Sequence, residues 1–146
     1  LGTNNLNIMS SMAGHGNPGS SLRALSKLFP KTDIYGADID ESILFQEDKI
    51  KTFHLNQLEQ KSFTILESKI NSKLDIIIDD GLHSLTANIN SIEFALRTLK
   101  KGGWVIIEDI GFHSLQIWMI IYSLISKNNE CYLIKTNHAL LFVLKK

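Results

Sequence analysis

The run Leu74-Asp75-Ile76-Ile77-Ile78, closed by Asp79-Asp80-Gly81, constrains this chain more than any other stretch. A segment so rich in β-branched residues reads as a strand. Its near-lack of polar alternation reads as a strand buried on both faces, as in a parallel sheet flanked by helices. A parallel neighbour requires a crossover, and the sequence supplies one. Ile89, Ile92, Leu96 and Leu99 share one helical face, Gly102-Gly103 stops that helix, and a second apolar run, Trp104-Val105-Ile106-Ile107, follows and ends in Glu108-Asp109. The same alternation runs through the first half. Ser20 or Ser21 can cap a helix carrying Leu22, Leu25, Leu28 and Phe29, which stops at Pro30. A short strand over 34–37, a helix over 41–48, a strand over 50–55 and a polar helix over 58–70 come next.

Beyond these elements, residues 115–125 read as a helix apolar nearly all round, hence deeply buried or part of a subunit contact. The tail, 131–134 and 140–144, reads as two strands meeting in a hairpin, which places an antiparallel edge on a mostly parallel sheet. The expected architecture is a single doubly wound, Rossmann-like α/β domain over 1–146. The chain opens on Leu1 within a Gly/Asn/Ser-rich stretch reaching Ser21, so the domain is expected to be incomplete at its N-terminus, without its first strand.

Composition narrows the function. Fifteen Lys and Arg balance fifteen Asp and Glu in 146 residues, which leaves no basic footprint for nucleic acid or an anionic membrane. The longest apolar run is far short of the roughly 20 residues that span a bilayer. A lone cysteine, Cys131, excludes an internal disulfide and a multi-thiolate zinc site, and reads as core packing in a reducing cytoplasm.

Ligands of open α/β sheets gather beyond the carboxyl ends of the strands. Those ends here read Ala37-Asp38-Ile39-Asp40, Asp79-Asp80-Gly81-Leu82-His83 and Glu108-Asp109. Asp38 is placed to accept two hydrogen bonds from the vicinal hydroxyls of an adenosine ribose, while Asp40 starts the next helix and serves equally well as its cap. Asp80, Glu108 and Asp109 offer oxygens suited to a hard divalent cation such as magnesium; without one, a carboxylate of the set would keep its proton or pair with a base. His83, three residues past Asp80, could take a proton from a hydroxyl bound there. His113 is a weaker candidate for substrate contact. Residues 14–19, Gly-His-Gly-Asn-Pro-Gly, match the dinucleotide fingerprint literally, but no strand leads into them and Pro18 removes an amide at the anion site.

Taken together, Gly2-Thr3-Asn4-Asn5, Pro18-Gly19-Ser20-Ser21-Leu22-Arg23, Ile34 through Asp40, the Asp-Asp-Gly-x-His element at 79–83 and Glu108-Asp109 make the chain similar to class I S-adenosylmethionine-dependent methyltransferases. It most resembles the metal-dependent sugar O-methyltransferases of macrocin and mycinamicin type. The resemblance implies that Gly2, Thr3, Asn4 and Asn5 approach the methionine part of S-adenosylmethionine, that Asp38 holds the ribose and that Asn56 and Gln57 face adenine. Ser21, Ile39 and Asp79 complete the implied cofactor set. It further implies Mg2+ on Asp80, Glu108 and Asp109, with His83 as general base. The expected reaction is methyl transfer to a hydroxyl of a sugar or other small polyol. Alternatives are a non-catalytic cofactor-binding module of the same fold, acting through the apolar helix 115–125 as an interaction domain, and an NAD-dependent oxidoreductase built on residues 14–19; a homo-oligomer is a further expectation.

Overall fold

The computed structural model describes residues 1–8, 12 and 15–146. Two units divide the chain, Leu1–Leu66 and Glu67–Lys146. The first contains α1 (Ser20–Leu28), β1 (Ile34–Asp38), β2 (Gln46–Glu47), β3 (Ile50–His54) and most of α2 (Gln60–Lys69). β1 and β3 run parallel in the register Ile34↔Ile50 to Asp38↔His54, and β2 adds antiparallel to β3. α1 packs on β1 and β3. Ile34, Ile50, Leu55, Phe63 and Leu66 are buried.

Two local expectations are corrected here. α1 is capped not by Ser20 or Ser21 but by Gly19, at φ 79° and without a side-chain bond. A Cβ on Gly19 would stand 2.4 Å from the Phe45 ring, so a serine does not fit that left-handed position. The helix expected over 41–48 is a single 3-10 turn, Glu41–Ile43, followed by β2. Thr52 draws this segment onto β3: its hydroxyl donates to Phe45 C=O and accepts from Phe45 N–H, each at 2.6 Å. Arg23 then pins β2 through Glu47, with Nη2 to Oε1 at 2.7 Å.

The second unit contains β4 (Leu74–Asp79), α3 (Leu85–Thr98), β5 (Leu99–Ile110), α4 (Leu115–Ile125), β6 (Glu130–Lys135) and β7 (Leu140–Lys145), with sheet order β4-β5-β7-β6. β4 and β5 are parallel, and β7 and β6 form the expected antiparallel hairpin. Val105, Ile107, Leu140, Phe142 and Leu144 point into one core with Ile92, Ala95 and Trp118 of the covering helices. Cys131 is buried there, as expected.

The expectation that β4 is buried on both faces does not hold. Ile76 and Ile78 are 60% and 50% exposed, whereas Asp79 is buried. β4 ends its sheet, and α3 covers only the face that the alternate residues present. Leu99, expected on the last turn of α3, opens β5 instead, still fully buried. β5 starts early because Gly102, at φ 81°, turns the chain onto the C-terminus: its N–H donates to Lys146 C=O at 2.6 Å.

A candidate metal centre at the ends of β4 and β5

Parallel pairing of β4 with β5 is what joins acids 28 residues apart in sequence. Asp79 lies opposite Ile107, so the next residues, Asp80 and Glu108, leave neighbouring strands at the same end. Asp79 itself turns inward and accepts a 3.2 Å hydrogen bond from Asn88 Nδ2 of α3, both side chains buried. It anchors the turn, and Asp80 is left facing solvent. Ser84 caps α3, accepting from Ala87 N–H at 3.3 Å, which fixes His83 directly before the helix.

β5 contributes its acids through a bulge. Between Ile107↔Phe142 and Ile110↔Leu140, two residues, Glu108 and Asp109, stand opposite the single Leu141. Regular pleating would send consecutive side chains to opposite faces, and the extra residue breaks that rule. Asp109 adopts φ 51° and His83 φ 55°, the two non-glycine positive-φ residues among those described. Left-handed backbone at non-glycine residues costs about 1–2 kcal/mol each, a strain that concentrates where side-chain placement matters more than stability.

The outcome is a cluster in which one donor atom each from Asp80, His83 and Asp109 lie within 4.8 Å of one another. His83 Nε2 is 3.7 Å from Asp80 Oδ1. Glu108 is outside that group but couples to it. Its carboxyl is pushed above the ordinary glutamate range by burial first, then by the charges of Asp80 and Asp109, with His83 acting oppositely. Three carboxylates at this density, one of them desolvated, are what a hard oxygen-seeking cation relieves, so the donor set fits magnesium.

Glu108→Gln is accordingly expected to melt at a higher temperature than the wild type in chelator and to bind magnesium at least tenfold more weakly, read by thermal denaturation and calorimetry. The sign follows from the raised carboxyl: the fold holds that proton more tightly than the unfolded chain does. This stabilising contribution is present below the ordinary glutamate value and is lost as pH rises through the raised one. A lower melting temperature for Glu108→Gln would instead make the carboxylate structural.

The residues expected to meet the cofactor fall into both units. In the first, Asp38 ends β1, its Oδ1 accepting from Asp40 N–H at 3.0 Å and its Oδ2 3.3 Å from the main-chain nitrogen of Leu1. Asp40 is the cap of the 3-10 turn and is buried, its carboxyl held below the ordinary value by the Ser42 hydroxyl and then by Thr3, which donates to Oδ2. Gly2 takes φ 75°. Thr3 is thus turned to the interior. Asn4 spends its amide on Gly16, donating to its C=O at 2.7 Å and accepting from its N–H at 3.3 Å. Asn5 accepts from Asn7 N–H. Asn56 shapes the start of α2, bonding Glu59 and Leu58 N–H, with Gln57 half-buried beside it. Ser21 and Ile39 are exposed. In the second unit, Asp79 is committed to Asn88 as above.

Of the glycine run at 14–19, Gly14 lies outside the described residues. The amides that are described leave no phosphate cradle: Gly16 N–H serves Asn4, Gly19 N–H serves Leu1 C=O, and Pro18 has none. His113 is exposed, its imidazole set against Gly111. Two contributors escaped sequence reasoning, Asn88 and the bulge at Glu108-Asp109. Ser84 escaped it too, although a serine directly before a helical pattern is the signal that could have found it.

Acids gathered at the ends of adjacent parallel strands lie where open α/β sheets bind their ligands. Residues 14–110 match the family described as a methyltransferase domain, and the chain belongs to that family. Among curated proteins it is 29% identical over 92 residues to an 8-demethyl-8-α-L-rhamnosyl tetracenomycin-C 2'-O-methyltransferase of Streptomyces olivaceus, covering 63% of this chain and 24% of that protein. It is 32% identical over 93 residues to the mycinamicin VI 2''-O-methyltransferase of Micromonospora griseorubida, covering 63% and 23%. The chain thus spans about a quarter of the length of these relatives. The structure of the mycinamycin-pathway methyltransferase MycE in complex with Mg and SAH is similar with a TM-score of 0.70 and 26% identity, over 90% of this chain and 41% of that one.

Proposed function

We propose that this chain is the cofactor- and metal-binding portion of an S-adenosylmethionine-dependent O-methyltransferase whose acceptor is a hydroxyl of a sugar or similar polyol. The observation that carries the reading is the convergence of Asp80, His83 and Asp109 at the ends of β4 and β5, in a chain whose family is that of methyltransferase domains. Support for the acceptor comes from relatives named for methylating sugar hydroxyls. When bound, S-adenosylmethionine would supply the methyl group and magnesium would act as Lewis acid toward the hydroxyl.

The residues of the chain do the rest. Asp80, Glu108 and Asp109 would hold the cation, with Asp79 and Asn88 keeping the β4 end in place. His83 accepts the proton of the acceptor hydroxyl, and Asp80 Oδ1 at 3.7 Å offers the imidazolium a counter-charge. His83 is held for that task by Ser84 and by its own left-handed backbone rather than by a loose loop. Asp38 would take the ribose hydroxyls.

Calorimetric titration with S-adenosylhomocysteine, with NAD as the control ligand, tests the reading first. Saturable binding of the former alone is expected, and its persistence in His83→Ala, with turnover lost at least a hundredfold, separates base from binding residue. A fully active His83→Ala removes the imidazole from the mechanism, and failure of a folded sample to bind S-adenosylhomocysteine overturns the cofactor assignment.

A further inference from the structure

One buried carboxylate of the first unit, Asp40, has no part in the chemistry above. It caps a 3-10 turn of three residues, yet it is buried. Capping engages only one of its oxygens: Oδ1 accepts from Ser42 N–H at 3.0 Å and from the Ser42 hydroxyl at 2.5 Å. Oδ2 is left for the hydroxyl of Thr3, 37 residues upstream. Thr3 is 1% exposed, and its hydroxyl in turn accepts from Asn5 N–H at 3.0 Å. A buried charge is costly unless its oxygens are filled, and both are filled here, one by the local turn and one by the 2–5 loop.

A second link of the same spacing lies beside it. The main-chain nitrogen of Leu1 is 3.3 Å from Asp38 Oδ2. Leu1 with Asp38 and Thr3 with Asp40 are thus two rungs, each side advancing by two residues, as one face of an extended segment requires. Asp40 N–H joins the rungs by donating to Asp38 Oδ1 at 3.0 Å. The loop is tied elsewhere too, Asn4 to Gly16 and Thr3 C=O to Met12 N–H at 2.7 Å, but the Thr3–Asp40 rung is the side-chain bond that connects it to the end of β1.

We propose that Asp40 is a positioning residue for the cofactor, a clasp that acts through the Thr3 hydroxyl to hold the 2–5 loop at a set distance from Asp38. This rests on the reading of the chain as an S-adenosylmethionine-binding domain, with Asp38 on the ribose and residues 2–5 at the amino-acid end. Asp40 is buried and acts through Thr3 rather than on the ligand. Its effect is preorganisation: a loop already held at the right separation has less freedom to lose when one ligand spans both ends. A ligand that reaches only the Asp38 end gains nothing from the clasp.

Calorimetry with two ligands tests this. S-adenosylhomocysteine carries the nucleoside and the amino-acid tail, whereas adenosine carries the nucleoside alone. Thr3→Val keeps the size of the side chain and removes a hydrogen bond to a buried charge, so it is expected to weaken S-adenosylhomocysteine about tenfold and to leave adenosine unchanged. Thr3→Ser keeps the hydroxyl and is expected to retain most of the wild-type affinity. Asp40→Ala is expected to reproduce Thr3→Val, and the double variant to bind no worse than Asp40→Ala alone. The serine variant and this cycle decide the matter on S-adenosylhomocysteine even where adenosine binds too weakly to read. Equal loss of both ligands in Thr3→Val overturns the proposal by making the contact one of general stability. So does unchanged binding of both, or a double variant in which the two losses add. A folded wild-type chain that binds no S-adenosylhomocysteine overturns instead the cofactor assignment on which the clasp depends.

Discussion

On the proposed function, Asp80→Asn is expected to lower kcat/KM for a sugar acceptor by at least a hundredfold, and added magnesium should fail to restore it. The substitution keeps the size of the side chain and one carbonyl oxygen but removes a full charge from a site whose three acids lie on two neighbouring strands. A hard divalent cation is selected by charged oxygen donors, and the Lewis acidity it supplies is worth several kcal/mol at a developing alkoxide. Because Asp80 is exposed and Asp79, not Asp80, anchors the β4 turn through Asn88, the fold should be unaffected. Magnesium calorimetry and S-adenosylhomocysteine calorimetry on the same variant should therefore diverge, the first signal lost and the second retained. Retained magnesium-dependent turnover in Asp80→Asn would remove this carboxylate from the metal centre.

Trp118→Ala should cost about 3–5 kcal/mol of folding stability, a large part of the total for a domain of this size. The indole is 1% exposed, lies in the first half of α4, and meets Phe142 of β7 with ring centroids 5.1 Å apart. It is the one fully buried side chain of α4, with Ile121 and Ile125 packed partly buried against the same core, so it is the centre of that helix's docking on the sheet. Loss of the ring leaves a cavity that rigid strand neighbours such as Leu140 and Leu144 cannot close. Urea denaturation checks it, and the half-buried Trp104 keeps a fluorescence signal in the variant. A shift below about 1 kcal/mol would mean that α4 is held by its flanks instead.

The two predictions differ in how visible their residues were beforehand. Asp80 stands out in the sequence because an aspartate pair directly after an apolar run has to leave the end of a strand. Trp118 does not: Leu115–Ile125 has apolar residues on every side, so no periodicity says which face turns inward. The same lack of contrast hid the exposure of Ile76 and Ile78. β-branched residues state that a strand is present, whereas coverage of its second face depends on which elements pack there. At 41–48 the local pattern misled, since hydrogen bonds from Thr52 and an ion pair from Arg23 outweigh a weak helical preference.

By itself the sequence determined the alternation of strand and helix, the parallel pairing of β4 with β5 through α3, the closing antiparallel hairpin and the placing of acids at strand ends, because these follow from local periodicity and turn chemistry. Tertiary structure alone decided the rest. Asp109 and His83 reach Asp80 through a bulge and two left-handed residues, which no side-chain pattern announces because backbone strain is imposed by partners distant in sequence. Which acid turns inward was decided the same way, since Asp79 and Asp80 are chemically identical and what distinguishes them is the face of β4 that α3 covers, with Asn88 placed on it.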